Sequence, residues 1–367
     1  MRIYLDYAAT TPVREEVLKA MLPYFSDKFG NPGSINSFGI EAAEAVDEAR
    51  LKIAKLLNAK LDQIIFAGSG TESVNLAIKG AASANKSKGN HIITSKIEHK
   101  AVLETCKYLE KHGFEVTYLE PEKDGTISKE RLKEAIKPST ILISIMHANN
   151  EIGSINPIKE LKEISKNILF HTDASQSAGL LEIPDVDLVT INSAKIYGPK
   201  GIALLKTKTK LEPLIHGGEQ EFGLRSGTEN VPGIVGFSKA LELAFKEKDI
   251  EYKRLENLKN KLINGLLKLN ATLNSPKNSL PNNINISFKG VEAETLLLSL
   301  DDQGVAVATG SACTTKTLKH SHVLEALRLP KDIIQSSIRI TIGKYTTEEQ
   351  IGQVIEIVTK IIKDLKQ

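Results

Sequence analysis

The sequence has few cysteines, no long apolar run and no charged-then-apolar leader, and each absence excludes a class of protein. Its 367 residues contain two cysteines, Cys106 and Cys313, so neither a disulfide framework nor a CxxC metal site is expected. Apolar runs such as ILISIM are far shorter than the roughly 20 residues of a membrane helix. We therefore expect a cytoplasmic protein that does not contact a membrane.

The sequence also lacks a large excess of charge of either sign. Lys and Arg total 48 against 45 for Asp and Glu, a net charge of +3, and no basic block or aromatic-basic stripe is present. Direct binding to nucleic acid is therefore not expected. The composition is typical of a globular protein. The length exceeds the roughly 250–300 residues at which a single core stops growing, which favours two domains.

What the sequence does contain is a regular alternation of short β-branched runs with amphipathic helical stretches, from about residue 62 to 206. This rhythm is typical of βαβ units and predicts an α/β fold with a mainly parallel sheet flanked by helices. A charged helical stretch over roughly 238–268 then predicts a connector, and the segments after it favour a smaller α+β domain. In such sheets ligands bind at the carboxyl ends of the strands.

Polar residues cluster after several of the predicted strands. Ser69, Gly70 and Thr71 follow QIIFAG and lead directly into a helix, where free N–H groups can hold a phosphate. A simple N-cap explains the same residues. His99 follows HIIT, and segments HANNE and HTDASQ follow two further strands. Each could be a cap by itself, but their recurrence at successive strand ends indicates a site for charge and hydrogen-bond chemistry.

Lys195 follows the strand DLVTI and is flanked by small residues. Partial desolvation there would lower the pKa of its amine and make it a nucleophile for a carbonyl. A solvated surface lysine is the alternative. A lysine, a strand-end aspartate and a phosphate-binding helix start together suggest pyridoxal phosphate, whose ring nitrogen needs a carboxylate partner and whose aldehyde needs an amine.

The segment ATGSACTTKTLKHSH, residues 308–322, places Cys313 among small, polar and basic residues. This composition predicts an exposed loop whose positive charge favours the thiolate. A chance surface cysteine, or a thiol sensor or metal binder using His320 and His322, would fit the same residues. Cys106 lies instead on one helical face with Val102 and Leu109, which predicts a packed core thiol.

Ten motifs, in order, resemble the NifS/IscS-like cysteine desulfurases, which are fold type I pyridoxal-phosphate enzymes of the class V aminotransferase family. They are YLDYAATTP, FGNPGS, TESVNLAIKGAA, HIITSKIEHKAVLETC, SIMHANNEIG, HTDASQSAG, KIYGPKG, HGGEQEFGLRSGTEN, GSAC and SSIRITIG. The resemblance covers essentially the whole chain. The residues after the cysteine resemble in length the long loop of the NifS/IscS group. We predict a large cofactor-binding domain over residues 14–250 and a small domain formed by residues 1–13 and 251–367.

The resemblance implies conversion of L-cysteine to L-alanine, with the sulfur passing to Cys313 as a persulfide. It implies a homodimer that donates sulfur to an iron–sulfur scaffold or a tRNA-thiolation protein. Selenocysteine lyase or aminotransferase activity on the same fold is the alternative. The implied residues divide into three groups. Lys195 (the Schiff-base lysine), Cys313 and His99 are catalytic; Gly70, Thr71, His99, Asn150, Asp173, Gln176, Asn192, Lys195 and Thr228 of the other subunit bind the cofactor; Asn150 and Arg339 bind the substrate carboxylate.

Two positions depart from the pattern of this family. The family has an S-x-H-K arrangement before the lysine, whereas this chain has Asn192 and Ala194 there. Asparagine can still donate a hydrogen bond to a phosphate, but alanine cannot. The departure predicts cofactor binding weaker by roughly 1–3 kcal/mol. It is also the one feature in favour of a non-catalytic relative that has kept the fold.

Overall fold

The computed structural model describes residues 2–310 and 320–365. Its largest element is a seven-stranded sheet in the order β2-β8-β7-β6-β5-β3-β4. Only β8 runs in the direction opposite to the other six strands. The other pairings are parallel. The strands are β2 (Ile64–Ala67), β3 (His91–Ser95), β4 (Glu115–Leu119), β5 (Thr140–Ser144), β6 (Leu169–Asp173), β7 (Leu188–Asn192) and β8 (Ala203–Thr207).

Helices cover both faces of this sheet, which is why its inner strands are almost continuously apolar and buried. Val46 and Phe237 belong to the hydrophobic cluster on one face, and Val102 and Cys106 to the cluster on the other. The helices in this part of the chain are α1 (Glu15–Met21), α2 (Pro23–Ser26), α3 (Ser37–Leu56), α4 (Gly70–Asn75), α5 (Ala81–Ala84), α6 (Lys100–Glu110), α7 (Lys129–Ala135) and α8 (Ile158–Ser165). A π-helical turn, residues 76–80, joins α4 to α5.

A third hydrophobic cluster surrounds a small antiparallel sheet of order β12-β10-β9. The two-residue β1 pairs in parallel with β11 beside it. The remaining elements are β1 (Ile3–Tyr4), α9 (Val231–Leu266), β9 (Ala271–Leu273), β10 (Asn283–Phe288), α10 (Ala293–Asp302), β11 (Val305–Ala306), α11 (His322–Ala326), α12 (Lys331–Gln335), β12 (Ser337–Thr341) and α13 (Glu348–Leu365).

The long helix α9 connects the two parts of the chain. Phe237 and Leu241, near its start, pack in a core of the large sheet, whereas Leu258 and Leu262 pack in the core of the small sheet. The division into two domains with the boundaries given above stays a prediction. Within the described residues, every helix is too short or too polar to cross a membrane.

Six strands of the large sheet, all except β8, run in one direction, so their carboxyl ends lie along one edge. The polar segments that follow these strands are therefore brought together, as the sequence predicted.

Candidate active site

A cavity of about 140 Å³ opens at this edge of the sheet. Nine of the eleven predicted site residues line it: Gly70, Thr71, His99, Asn150, Asp173, Gln176, Asn192, Lys195 and Arg339. They come from both sheets and span most of the chain. Convergence of a lysine, an aspartate, a histidine and an arginine in one cavity is the pattern of a reactive site rather than of separate helix caps.

The start of helix α4 forms one wall of the cavity. Ser69 caps this helix, because its hydroxyl accepts a hydrogen bond from the backbone N–H of Glu72 at 3.2 Å. At Gly70 a Cβ atom would lie 3.0 Å from Nδ2 of Asn192. The absence of a side chain at Gly70 thus keeps open a cradle in front of backbone N–H groups and an amide donor. Such a cradle suits a phosphate.

Lys195 ends a short 3-10 turn, residues 193–195, directly after β7. Its Nζ donates hydrogen bonds to the backbone carbonyls of Ala8 at 2.7 Å and Ala9 at 2.5 Å. Gln176 also donates to the carbonyl of Ala8, at 3.1 Å. The N-terminal segment thus forms part of the cavity. This segment belongs to the motif YLDYAATTP, but nothing in the sequence predicted that it would line the site.

Asp173 and His99 lie on the same cavity. One carboxylate oxygen of Asp173 accepts a hydrogen bond from the backbone N–H of Ser175 at 2.9 Å, which fixes the side chain at the end of β6. The Nδ1 atom of His99 accepts a hydrogen bond from the N–H of Ala101 at 3.1 Å. Burial lowers the pKa of His99, although the Asp173 carboxylate opposes this shift. The His99 ring is therefore neutral. Because Nδ1 is an acceptor, the proton of the ring is on Nε2.

Arg339, on β12, is almost fully buried and yet lines the cavity. Its Nη2 donates to the carboxylate of Asp6 at 2.7 Å, and its Nη1 donates to the carbonyl of Asn150 at 3.2 Å. Its Nε is buried and has no hydrogen-bond partner among the described residues. A buried donor without a partner is costly, so this guanidinium is well placed for a carboxylate ligand.

The two remaining predicted site residues are Thr228, which does not line the cavity, and Cys313. Thr228 is exposed on the surface of its own chain. Cys313 lies outside the described residues. The prediction for Cys106 is confirmed, since it is fully buried and burial raises the pKa of its thiol to about 12. His322 is half-buried at the start of helix α11, and its ring contacts the backbone carbonyl of Glu98 at 3.0 Å.

The pattern of the aminotransferase class-V family matches residues 3–354. The chain belongs to this family. It is 52% identical to cysteine desulfurase IscS of Dictyoglomus turgidum, over 99% of this chain and 95% of the relative, and 49% identical to the IscS of Methanosarcina thermophila, over 99% and 93%.

Two solved structures show the same fold. A NifS-like protein superposes with a TM-score of 0.94 at 38% identity, over 99% of this chain and all of the other. A structure described as SspA in complex with cysteine has a TM-score of 0.84 at 38% identity, over 95% and 100%. The fold and the family expected from the motifs are therefore confirmed.

Proposed function

We propose that this class-V protein is a pyridoxal-phosphate-dependent cysteine desulfurase. The observation that carries the proposal is the single cavity that unites Lys195, Asp173, His99 and Arg339 beside the Gly70 cradle. The full-length similarity to proteins named cysteine desulfurase supports it. The proposed reaction takes L-cysteine and an enzyme thiol to L-alanine and an enzyme persulfide, so all atoms and electrons balance without an added oxidant or reductant.

The cavity residues fit the cofactor. The cradle at Gly70 and Thr71, with Asn192 facing it, would hold the phosphate, and Asp173 would pair with the protonated ring nitrogen. Gln176 would bond the phenolic oxygen, and His99 would stack on the ring. When bound, pyridoxal phosphate supplies an acceptor for the electron pair left on the substrate's Cα after deprotonation.

Arg339 is proposed to bind the substrate carboxylate together with Asn150. Asp6 and the Asn150 carbonyl fix the orientation of the guanidinium, while its buried Nε has no acceptor in the part of the chain that the structure describes. A carboxylate ligand would satisfy that donor in the planar geometry that arginine favours.

Lys195 and His99 are proposed to move protons. Lys195 lines the cavity, and its Nζ would take the proton from the substrate's Cα. His99 is neutral because burial lowers its pKa. A neutral imidazole can exchange protons with the substrate without adding a second positive charge beside the arginine.

Cys313 is the proposed sulfur acceptor. Its thiolate would attack the substrate sulfur, forming the new S–S bond as the substrate's Cβ–S bond breaks. The Cβ–S electron pair stays with the carbon, which gains a proton to give alanine. Cys106 cannot replace Cys313, because it is buried in the core and its thiol pKa is raised to about 12.

We also propose that the enzyme acts as a homodimer. Thr228 is exposed and lies away from the cavity of its own chain, as expected of a residue that completes the site of a second copy. The segment from residue 18 to 40 carries seven exposed large apolar side chains: Leu18, Leu22, Phe25, Phe29, Ile35, Phe38 and Ile40. Burial of such a surface against a second chain would stabilise the dimer. The proposed acceptor of the sulfur is an iron–sulfur scaffold or a tRNA-thiolation protein in the cytoplasm.

The test is to add L-cysteine to the cofactor-loaded protein and to measure alanine and sulfide in the presence of a thiol reductant. We expect equal amounts of both products, no turnover in Cys313→Ser, and retained turnover in the control Cys106→Ala. An aminotransferase would not need Cys313, so activity that survives Cys313→Ser would contradict the proposal. Selenocysteine as a second substrate, assayed as alanine and selenide, separates a selenocysteine lyase from a desulfurase.

A further inference from the structure

Glu151 follows Asn150 directly and has no role in the site described so far. It is 1% exposed. The hydroxyl of Ser321 donates a hydrogen bond to its Oε2 at 2.5 Å. A buried carboxylate is costly unless it is hydrogen-bonded, so this contact is a strong constraint on where Ser321 lies.

Gly310, which precedes Cys313 in the chain, approaches the same carboxylate. A Cβ atom at Gly310 would lie 3.3 Å from Oε2 of Glu151 and 3.7 Å from Cβ of Ser321. Gly310 has φ of +141°, in the region that favours glycine. Residues 311–320, including Cys313, are the chain between these two points. Gly310 and Ser321 therefore meet at Glu151.

We call residues 308–310 and 321–324 the two stems of the Cys313 segment. Each stem also contacts the backbone of a residue in or next to the cavity. Ala308 exchanges two backbone hydrogen bonds with Arg339, at 3.0 and 2.6 Å. His322 contacts the carbonyl of Glu98, next to His99. Helix α11, which Ser321 caps, packs through Val323 and Leu324 against Ile152. The stems thus stand at the cavity, with Glu151 between them.

We propose that Glu151 is a positioning residue for sulfur transfer, which holds both stems of the Cys313 segment at the edge of the cavity. Cys313 is three residues from Gly310, and three extended residues span about 11 Å at most. A fixed Gly310 therefore limits how far the thiol lies from the substrate sulfur. This inference rests on the proposed function, because it assigns Cys313 as the acceptor.

The first test uses Glu151→Ala in the cofactor-loaded protein. We expect the single-turnover rate of persulfide formation on Cys313, followed by mass spectrometry, to fall about tenfold or more. Binding of L-alanine, followed by the change in cofactor absorbance, should change less than about twofold. Hydrogen exchange of peptides covering residues 305–310 and 320–328 should become faster, which is a readout independent of activity.

The second test separates the Glu151 contact from the cap of α11. Ser321→Asp keeps a good capping residue but places a second carboxylate against Glu151, so it should slow persulfide formation as Glu151→Ala does. The double variant Glu151→Gln with Ser321→Asp restores a hydrogen bond with donor and acceptor exchanged, and it should recover most of the rate. Ser128→Asp is the matched control, because Ser128 caps α7 away from the cavity.

The outcomes distinguish this inference from the proposed function. Wild-type transfer rates in Glu151→Ala and Ser321→Asp would overturn the positioning role and leave the desulfurase proposal intact. Equal loss of L-alanine binding and of persulfide formation would also overturn it, since Glu151 would then support the whole site. A wild-type protein that forms no persulfide from L-cysteine would contradict the proposed function and this inference together.

Discussion

Glu98 shows how burial changes the chemistry of one residue beside the cavity. Its Oε1 accepts hydrogen bonds from the hydroxyl of Ser95 at 2.7 Å and from the N–H of Met146 at 2.9 Å. Its Oε2 is buried without a partner among the described residues. Burial raises the pKa of Glu98 to about 8, and the nearby Asp173 carboxylate adds to the shift. At neutral pH Glu98 is therefore a neutral acid.

This shift predicts a dependence of stability on pH. The folded state keeps a proton on Glu98 up to about pH 8, whereas in the unfolded chain the carboxyl ionises near its ordinary pKa of 4.5. The stabilisation is complete below that ordinary value and declines as pH rises, by at most about 1.4 kcal/mol per pH unit. His147 and His171, whose pKa values burial lowers to about 4, act in the opposite direction but below about pH 6.5.

Glu98→Gln should flatten this dependence between pH 6.5 and 8, because glutamine matches the protonated acid in shape and does not ionise. The measurement is the free energy of unfolding of the cofactor-free protein, by chemical denaturation at three pH values in that range. Glu104→Gln, on the exposed face of α6, is the control. An unchanged slope in Glu98→Gln would contradict the assignment of Glu98 as a buried neutral acid.

At the same scale, the sequence indicated Lys195 and Asp173 because each follows a β-branched run, and strand ends meet in space. It predicted no role for Asp6, Glu98 or Glu151, although Glu151 ends the polar segment HANNE. Their importance comes from burial and from partners distant along the chain, such as Arg339 for Asp6. Neither property has a local sequence signal.

At the level of a single element, Gly70 at the start of helix α4 affects both the helix and the cavity. An alanine at Gly70 would favour the helix by up to about 1 kcal/mol, but its Cβ would lie 3.0 Å from Nδ2 of Asn192, inside the cradle. We therefore expect Gly70→Ala to keep or raise the thermal stability while lowering affinity for pyridoxal phosphate about tenfold or more. Absorbance titration of the stripped protein measures this affinity.

Gly352→Ala is the matched control for Gly70→Ala. It is also a helical glycine, on α13, but a Cβ there meets nothing within 4 Å. It should raise stability without changing cofactor affinity. Equal affinities of the Gly70 and Gly352 variants would argue against a phosphate at the start of α4.

Most elements were predictable from periodicity, whereas their ends were less so. The connector helix predicted over roughly 238–268 is α9, which begins earlier, at Val231. Asn230 caps it by accepting a hydrogen bond from Gly233, and Pro232 occupies its first turn. Asparagine followed by proline is a start signal that apolar periodicity alone does not register.

At the scale of the whole molecule, the proposed dimer can be tested at Ile35. This side chain is 97% exposed, so Ile35→Asp should not destabilise the isolated chain. In a dimer that buries residues 18–40, a charge there should weaken association about tenfold or more and lower cofactor retention, because Thr228 would no longer reach the second site. Analytical ultracentrifugation and cofactor content measure the two effects.

Ile250→Asp is the control for Ile35→Asp, since Ile250 is also exposed, at 74%, but lies in the middle of α9. It should leave association unchanged. Unaltered dimerisation in Ile35→Asp would remove residues 18–40 from the proposed interface.

The fold class was accessible from sequence because alternation of strands and helices determines sheet direction and therefore the edge at which ligands bind. The contribution of residues far from the strand ends to the site was not accessible from the sequence. Ala8, on the N-terminal segment, and Arg339, on β12, reach the same cavity as the strand-end residues. Contacts of this kind, between residues far apart in sequence, depend on how the small sheet packs. No local sequence pattern determines that packing.

The span from Ala8 to Arg339 has a consequence for biosynthesis. Ala8 is synthesised at the start of translation, whereas Arg339 emerges from the ribosome only with β12. A nascent chain therefore has no complete cavity in which the proposed cofactor could bind. If the proposed cofactor binds there, its loading would be completed only after translation, and a product that ends before β12 would contain Lys195 without Arg339.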